Sequence, residues 1–215
     1  MKIKYFTFNP FQENTYIVYN EEREAMIIDP GCYFEREESI LNNFITDNSL
    51  KIKLLVNTHL HIDHCFGNAF VERTYHVKAF ANQEDEFLLK DMAGQAKMFG
   101  IPLRHAANSF ANALENYIHE NDKLTLGSEI FEAFGIPGHS PGSVVLYNAK
   151  NGCIFVGDVL FQGSIGRTDL QRGNHQSLID GIREKLLILP DETVVYCGHG
   201  PTTTIGQEKA NNPFI

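Results

Sequence analysis

Short runs of apolar residues recur along the chain, and turn residues separate them. Runs of this length that are rich in branched and aromatic side chains indicate β-strands. Three of them fall within the first thirty residues and predict an antiparallel meander. The others follow the first helix or lie in the second half of the chain. The predicted strands are 2–8, 14–19, 25–28, 52–56, 77–80, 123–126, 129–134, 143–148, 153–156 and 193–196.

Segments with helical spacing lie between these strands. Acidic residues from Glu35 onward favour a helix start, and apolar residues then recur at every third or fourth position. Further helices are predicted at 64–75 and 84–99, and Asn174 can cap another. The hydrophobic residues in 103–120 follow no regular spacing, so we predict a short helical connection with loops there. The C-terminal tail predicts a short helix or coil.

The coarse order of strands, helix and strand occurs twice, although no repeat is visible in the sequence itself. Two sheets with helices on their outer faces would bury all of these amphipathic segments. No stretch has the composition of a linker between independent domains. We therefore predict an α/β (α+β) fold in which residues 1–215 form a single domain.

Composition narrows the class of protein. With 43% hydrophobic and 21% charged residues, the chain of 215 residues can bury a sizeable core. Its net charge of −9 argues against nucleic acid or an anionic membrane as partner, and we expect a small-molecule substrate. No signal peptide or membrane span is recognisable, and the four cysteines lack Cys-x-x-Cys spacing. We expect a cytoplasmic protein with reduced, mostly buried thiols; the sequence does not indicate an oligomeric state.

The candidate chemistry begins directly after the predicted strand 52–56. His59 and His61 are two residues apart, so in extended backbone they point to the same side. Asp63 and His64 follow where the chain turns into a helix. Imidazole and carboxylate are ligands that zinc prefers. A surface cluster of histidines without catalytic use is the alternative, and it would not explain the motifs that follow.

Three later motifs each place a metal-ligand residue just past a strand and among glycines. They are Gly138-His139-Ser140-Pro141-Gly142, Gly157-Asp158 and Gly198-His199-Gly200. Together with His59-x-His61-x-Asp63-His64, this order resembles the metallo-β-lactamase superfamily, and in particular its glyoxalase II (hydroxyacylglutathione hydrolase) branch. The resemblance extends over nearly the whole chain, because Asn14-Thr15-Tyr16, Asp29-Pro30-Gly31 and the loop 163–169 also match.

The resemblance implies a four-layer αβ/βα sandwich with metal ions at the edge between two mixed sheets. It implies one metal on His59, His61 and His139, a second on Asp63, His64 and His199, and Asp158 as the bridge. Independently of the family, so many ligands exceed one tetrahedral zinc site and suit two ions. We expect zinc, with iron or manganese as alternatives. The implied reaction is thioester hydrolysis by a metal-bridging hydroxide that Asp63 and Asp158 orient.

Substrate contacts are less well defined. Arg167 and Arg172, in the glycine-rich loop after Asp158, are candidates for binding an anionic substrate, although solvated loop arginines are the commoner case. Only about sixteen residues follow His199, so we expect no helical extension of the kind that binds glutathione in glyoxalase II. The thiol would then be held weakly by the loops around the metals.

Three assignments stay open at this point. A persulfide dioxygenase, with one iron on His59, His139 and Asp158, would share the same motifs. Asp29 is either an acceptor that orients a ligand histidine or a turn residue next to proline. Cys65 is either a ligand or, as we expect, a small buried packing residue. We expect the remaining histidines to be surface or packing residues: His76, His105, His119 and His175.

Overall fold

The computed structural model describes residues 1–102 and 114–215, and within them two six-stranded sheets face each other. The first sheet has the strand order β1-β2-β3-β4-β5-β6. Its first three strands pair antiparallel and the rest pair parallel, so the sheet is mixed. Its strands are β1 (Lys2–Phe8), β2 (Glu13–Tyr19), β3 (Glu24–Ile28), β4 (Lys51–Val56), β5 (Ala79–Ala81) and β6 (Asn116–Tyr117).

The second sheet is also mixed, because only its pair β10–β13 is parallel. Its strand order is β14-β13-β10-β9-β8-β7, and a separate small hairpin, β11-β12, follows β10. The bounds are β7 (Lys123–Leu126), β8 (Glu129–Gly135), β9 (Val144–Asn148), β10 (Cys153–Gly157), β11 (Leu160–Phe161), β12 (Ser164–Ile165), β13 (Val194–Cys197) and β14 (Thr203–Thr204).

The helices account for the rest of the regular structure in the described residues. Short 3-10 turns occupy Gln83–Asp85 and Ala149–Asn151, and a π-helical turn, Ile182–Leu186, continues the helix that Asn174 caps. The α-helices are α1 (Glu35–Asp47), α2 (Ile62–Cys65), α3 (Asn68–Tyr75), α4 (Glu86–Lys90), α5 (Met92–Met98), α6 (His175–Gly181) and α7 (Ile205–Asn211).

Neighbouring side chains in a strand point to opposite faces of the sheet, and this alternation produces the layers of the fold. In β2, Tyr16 and Val18 pack between the two sheets, where they meet Phe131 and Phe155 of the second sheet. Ile17, between them in sequence, packs in a separate cluster that includes residues of α1 and α3. A third cluster joins the outer face of the second sheet to α6. The result is a helix–sheet–sheet–helix sandwich, which confirms the predicted four-layer fold.

Two predicted helices are each broken by tertiary contacts. The predicted helix 64–75 is divided into α2 and α3 at Gly67, whose N–H donates to the Pro30 carbonyl. A Cβ at Gly67 would lie 2.8 Å from that oxygen, so the close approach requires glycine. The predicted helix 84–99 is divided at Asp91, whose side chain caps the second part by accepting from the Gly94 N–H.

Other boundaries differ in smaller ways. The predicted strand 77–80 is formed at Ala79–Ala81, and the tail forms α7 rather than coil. Much of the predicted connection 103–120 lies outside the described residues, and Asn116–Tyr117 within it is a strand. All four cysteines are free and buried, as the sequence predicted. No helix within residues 1–102 and 114–215 has the length and hydrophobicity needed to cross a membrane.

The layer assignment can be tested with two neighbouring residues of β8. Phe131 is fully buried between the sheets, whereas Ile130 is 52% exposed. We expect Phe131→Ala to lower the free energy of unfolding by about 3–5 kcal/mol, because it removes a core ring and leaves a cavity. Ile130→Ala should cost less than about 1 kcal/mol. Urea unfolding of both variants measures this, and equal losses would contradict the layering.

Candidate metal centre

The candidate ligands all lie where strands of the two sheets end. Residues 57–61 follow β4 of the first sheet and carry His59 and His61, and α2 carries Asp63 and His64. The other three come from loops that follow β8, β10 and β13 of the second sheet. The structure therefore brings together, at one edge of the sandwich, all seven residues that the sequence singled out: His59, His61, Asp63, His64, His139, Asp158 and His199.

One group consists of three histidines. Donor atoms of His59, His61 and His139 all lie within 4.8 Å of one another, and all three side chains are buried. Nδ1 of His61 is 2.8 Å from Nε2 of His139. Nε2 of His59 is buried and has no hydrogen-bond partner among the described residues. A buried, unpartnered imidazole nitrogen that faces two others fits a metal ion.

A second group consists of one carboxylate and two histidines. Oδ2 of Asp63 is 3.3 Å from Nε2 of His199, and Nε2 of His64 is 3.3 Å from the same nitrogen. Donor atoms of all three residues again lie within 4.8 Å of one another. Two imidazoles and a carboxylate are an ordinary donor set for a divalent transition metal.

Asp158 lies between the two groups. Its Oδ2 is 3.6 Å from Nε2 of His139 in the first group and 3.5 Å from Nε2 of His199 in the second. Its Oδ1 is 3.3 Å from Nε2 of His64. A Cβ at Gly198 would collide with this carboxylate and lie 2.7 Å from the His64 ring, so glycine is required there. One carboxylate thus contacts histidines of both groups.

Acceptors behind the histidines fix which ring nitrogen faces the centre. A carbonyl can only accept, so His139 Nδ1–H donates to the Arg167 carbonyl at 2.8 Å and His199 Nδ1–H to the Phe11 carbonyl at 3.1 Å. His64 Nδ1 donates in the same way to the Asp29 carboxylate at 3.0 Å. In each of these histidines, Nε2 is therefore the ring nitrogen that faces the centre.

Asp29 organises the first histidine as well. Its carboxylate accepts from the Thr58 N–H at 2.7 Å and from the Thr58 hydroxyl at 2.6 Å. The hydroxyl is then free to accept from Nδ1 of His59, 3.2 Å away. The structure therefore places Asp29 as an acceptor that orients ligand histidines, which decides between the two roles that the sequence left open.

The two groups differ in their protonation. Burial lowers the pKa of His59 well below its usual value and that of His61 to about 3, so both are neutral. Burial also lowers the pKa of His64, but Asp158, Asp63 and Asp29 outweigh it and raise that pKa well above its ordinary value. Burial lowers the pKa of His199 as well, but Asp158 and Asp63 outweigh burial and raise that pKa to about 10.

The pKa values of the nearby carboxyl groups are lowered, whereas those of His64 and His199 are raised. Burial raises the pKa of Asp158, but His64 and His199 outweigh burial and hold that pKa well below its usual range. Burial also raises the pKa of Asp63, but His64 and His199 outweigh burial and lower that pKa below its usual value. Protonated His64 and His199 therefore neutralise the carboxylates of Asp63 and Asp158.

The two candidate substrate arginines lie in different surroundings. Arg167 lines the cavity above the candidate ligands together with Phe11, Phe99 and Leu170, and a bidentate ion pair joins it to Asp169 at 2.7 Å. Arg172 is not among the residues that line this cavity. Its guanidinium stands 4.1 Å from the centre of the Phe87 ring.

The other described histidines and the nearby cysteine are not brought into the centre. Cys65 is buried, its Sγ lies 3.2 Å from the His61 carbonyl, and burial raises its pKa well above the usual value, so it remains a thiol. His76 ends α3 in the left-handed conformation. His119 is exposed and lies 3.4 Å from Asp122. His175 begins α6, and His105 lies outside the described residues.

Sequence analysis missed two buried carboxyl groups close to the centre. Glu13 pairs through its backbone with His199, and its Oε1 has no hydrogen-bond partner among the described residues. Burial raises its pKa well above the usual value. Asp85 accepts hydrogen bonds from the loops that carry His59, His61 and His139. The sequence around Glu13 and Asp85 does not reveal their roles, because the groups that they contact are distant in the chain.

Comparison with known proteins agrees with this geometry. A family model of the metallo-beta-lactamase superfamily matches residues 8–199. The hydroxyacylglutathione hydrolase GloC of Haemophilus influenzae is 38% identical over 217 residues, which cover 100% of this chain and 98% of that protein. The crystal structure of the BLEG-1 B3 metallo-beta-lactamase covers 99% of both chains with a TM-score of 0.90 and 38% identity.

A further solved structure, TTHA1623 in a di-iron-bound form, has a TM-score of 0.86 and 32% identity, and covers 99% of this chain and 100% of that chain. These similarities extend across both sheets and all of the ligand loops. The chain therefore belongs to the metallo-beta-lactamase superfamily.

Proposed function

We propose that this protein is a metal-dependent thioester hydrolase with two divalent metal ions. His59, His61 and His139 would hold one ion, Asp63, His64 and His199 the other, and Asp158 would bridge them. The unpartnered Nε2 of His59 and the fixed ring orientations fit these ions. We favour zinc because the donors are nitrogen and carboxylate oxygen, with iron or manganese as alternatives.

The ions would supply Lewis acidity for the substrate carbonyl and would lower the pKa of a coordinated water to about 7. The chain positions the other participants. Asp63 and Asp158 have lowered pKa values, so each stays a carboxylate that can accept a hydrogen bond from the attacking water and orient it. Phe11, Phe99 and Leu170 border the cavity with apolar surface and limit its hydration.

The lining of the cavity is the observation that favours a thioester. Apart from the ligands, the described residues that line it are Phe11, Phe99, Arg167 and Leu170. None of these can give up a proton near neutral pH, and an amide or lactam nitrogen must be protonated as it leaves. A thiol has a pKa of about 8.5 and can leave as the thiolate without a proton donor. The similarity to a hydroxyacylglutathione hydrolase supports the same reaction.

A second candidate is a persulfide dioxygenase with one iron. Within the larger ligand set, His59, His139 and Asp158 form a two-histidine, one-carboxylate group, which is an arrangement that suits iron(II). The inward orientation of Asp63, His64 and His199 favours two ions instead. Metal analysis after anaerobic purification separates the candidates, since about two zinc ions per chain support hydrolysis and one iron supports the dioxygenase.

The free, buried thiols fit our expectation of a reducing, cytoplasmic compartment.

The bridging role of Asp158 can be tested by removing its carboxylate. We expect Asp158→Ala to lose most of the metal from both groups together with hydrolysis of lactoyl thioesters, because one charge is shared by two ions. Metal per chain is measured by mass spectrometry. Asp169→Ala, which removes an exposed carboxylate from the next loop, is the control and should keep its metal. Full metal occupancy in Asp158→Ala would show that the bridge is assigned wrongly.

The protonation difference predicts how zinc binding depends on pH. In the metal-free protein the pKa of His64 is raised well above its ordinary value and that of His199 is raised to about 10, so near neutral pH both carry protons that zinc must displace. His59 and His61 are already neutral. One zinc should therefore bind more tightly as pH rises, by about tenfold or more per unit, and the other should change much less.

Competition with a chromophoric chelator between about pH 6 and pH 8.5 resolves the two affinities. In His139→Ala, which disables the three-histidine group, the steeply pH-dependent zinc should remain. Equal pH dependence of the two zinc ions would show that the groups are not protonated as described.

The Arg167–Asp169 ion pair predicts only a modest role for Arg167 in binding an anionic thiol. An exposed arginine that is already paired gains little from a second carboxylate, so Arg167→Ala should raise KM for lactoylglutathione by no more than about fivefold. Asp169→Asn should lower this KM, because it frees the guanidinium. Neither change should affect a short, uncharged lactoyl thioester, and Arg172→Ala should resemble wild type. An Arg172→Ala effect larger than that of Arg167→Ala would contradict the placement of the two side chains.

A further inference from the structure

Asp85 is a fully buried carboxylate that lies between the loops of two different sheets. It ends the 3-10 turn Gln83–Asp85, which follows β5 of the first sheet. Its Oδ2 accepts from the Leu60 N–H at 3.2 Å and from the Ser140 hydroxyl at 2.7 Å. Its Oδ1 accepts from the Gly142 N–H at 2.7 Å. All of its partners lie in segments that carry candidate ligands.

These partners are the immediate neighbours of the three-histidine group. Leu60 lies between His59 and His61, and Ser140 directly follows His139 in sequence. The first segment leaves β4 and the second connects β8 to β9, so they belong to opposite sheets. One backbone hydrogen bond, from the Val144 N–H to the Thr58 carbonyl at 2.8 Å, also joins the two segments. Asp85 adds the side-chain connection next to the ligands themselves.

The loop that carries His139 is shaped for this carboxylate. A Cβ at Gly142 would lie 2.6 Å from Cγ of Asp85, so no other residue allows the same approach. The Ser140 hydroxyl is also 2.8 Å from the Ser143 hydroxyl, which leaves the Ser140 hydrogen for Asp85. A buried carboxyl group that accepts three hydrogen bonds is costly to replace by any group that cannot accept them all.

The second group of ligands is held by other contacts. Asp29 orients His64, and the Phe11 carbonyl orients His199. None of the hydrogen bonds described for Asp85 reaches the segment that carries His199 or the α2 residues Asp63 and His64. Loss of the Asp85 contacts should therefore affect the two groups unequally.

We propose that Asp85 is a positioning residue that sets the spacing between His59–His61 and His139 and so tunes the metal affinity of the three-histidine group alone. This inference rests on the proposed two-metal centre. It concerns how the chain presents its ligands and does not depend on which substrate is hydrolysed.

Asp85→Asn is the informative substitution because it keeps the size of the side chain. The amide oxygen can still accept from the Gly142 N–H, and the amide nitrogen can donate to the Ser140 hydroxyl. The Leu60 N–H would then face another donor and lose its partner. The variant thus loosens the segment of His59 and His61 while it keeps the loop of His139 in place.

The experiment measures the two zinc affinities of the metal-free full chain by chelator competition, with zinc alone as the probe. In Asp85→Asn we expect the affinity of one zinc to fall by about 10- to 100-fold and that of the other to change by less than about twofold. Ser140→Ala, which removes a single hydrogen bond to Asp85, should weaken the same zinc by less.

Two controls separate positioning from general loss of stability. Glu129→Gln changes a buried carboxylate that bonds to Asn148, Asn151 and Lys150 in a distant hairpin, and it should leave both zinc affinities unchanged whatever it does to Tm. In a His139→Ala background, which disables the three-histidine group, Asp85→Asn should not change the zinc that remains.

Unchanged affinities in Asp85→Asn would overturn the inference, as would equal weakening of both zinc ions or an additional loss in the His139→Ala background. A wild-type chain that binds fewer than two zinc ions would instead overturn the two-metal proposal itself. The two failures are therefore distinguishable.

Discussion

The edge of the sandwich depends on one electrostatic constraint, which is the burial of several carboxylates in a small volume. Asp29, Asp63 and Asp158 all lie around His64, which is itself fully buried. Buried charges are costly unless they are paired and hydrogen-bonded. In the metal-free chain, protonated His64 and His199 supply the positive charge. Divalent ions would supply it more effectively, and their binding would then be coupled to the folding of this edge.

The two sheets meet this constraint together. The loop that carries His199 belongs to the second sheet, yet it is anchored by β2 of the first. The Asn14 N–H donates to the Gly198 carbonyl at 2.7 Å, and the Tyr16 hydroxyl donates to the Cys197 carbonyl at 2.6 Å. Asp85 makes the corresponding connection for His139. The ligand loops are thus fixed by hydrogen bonds between the sheets as well as by their own strands, which is how loops can hold ligands in a defined geometry.

Much of this arrangement could be predicted from the sequence. Strands such as β2 and β10 were recognisable because their apolar patterns are local, and the ligands were recognisable because four of them fall within six residues. The helix break at Gly67 was missed because its cause is a contact with Pro30, which is distant in sequence. Asp85 was missed for the same reason, since the partners of its carboxylate are twenty-five or more residues away. The sequence around a loop arginine does not indicate where its side chain points. Arg172 lies against Phe87.

The proposed centre consists of seven residues around two metal ions, with Asp158 as the shared ligand. The most direct measurement is anomalous diffraction from crystals of the metal-loaded protein at the zinc and iron absorption edges. We expect two zinc peaks about 3.5–4 Å apart, one among His59, His61 and His139 and the other among Asp63, His64 and His199, with the Asp158 carboxylate between them. A single iron peak on His59, His139 and Asp158, with Asp63 and His199 turned away from it, would contradict a two-metal centre.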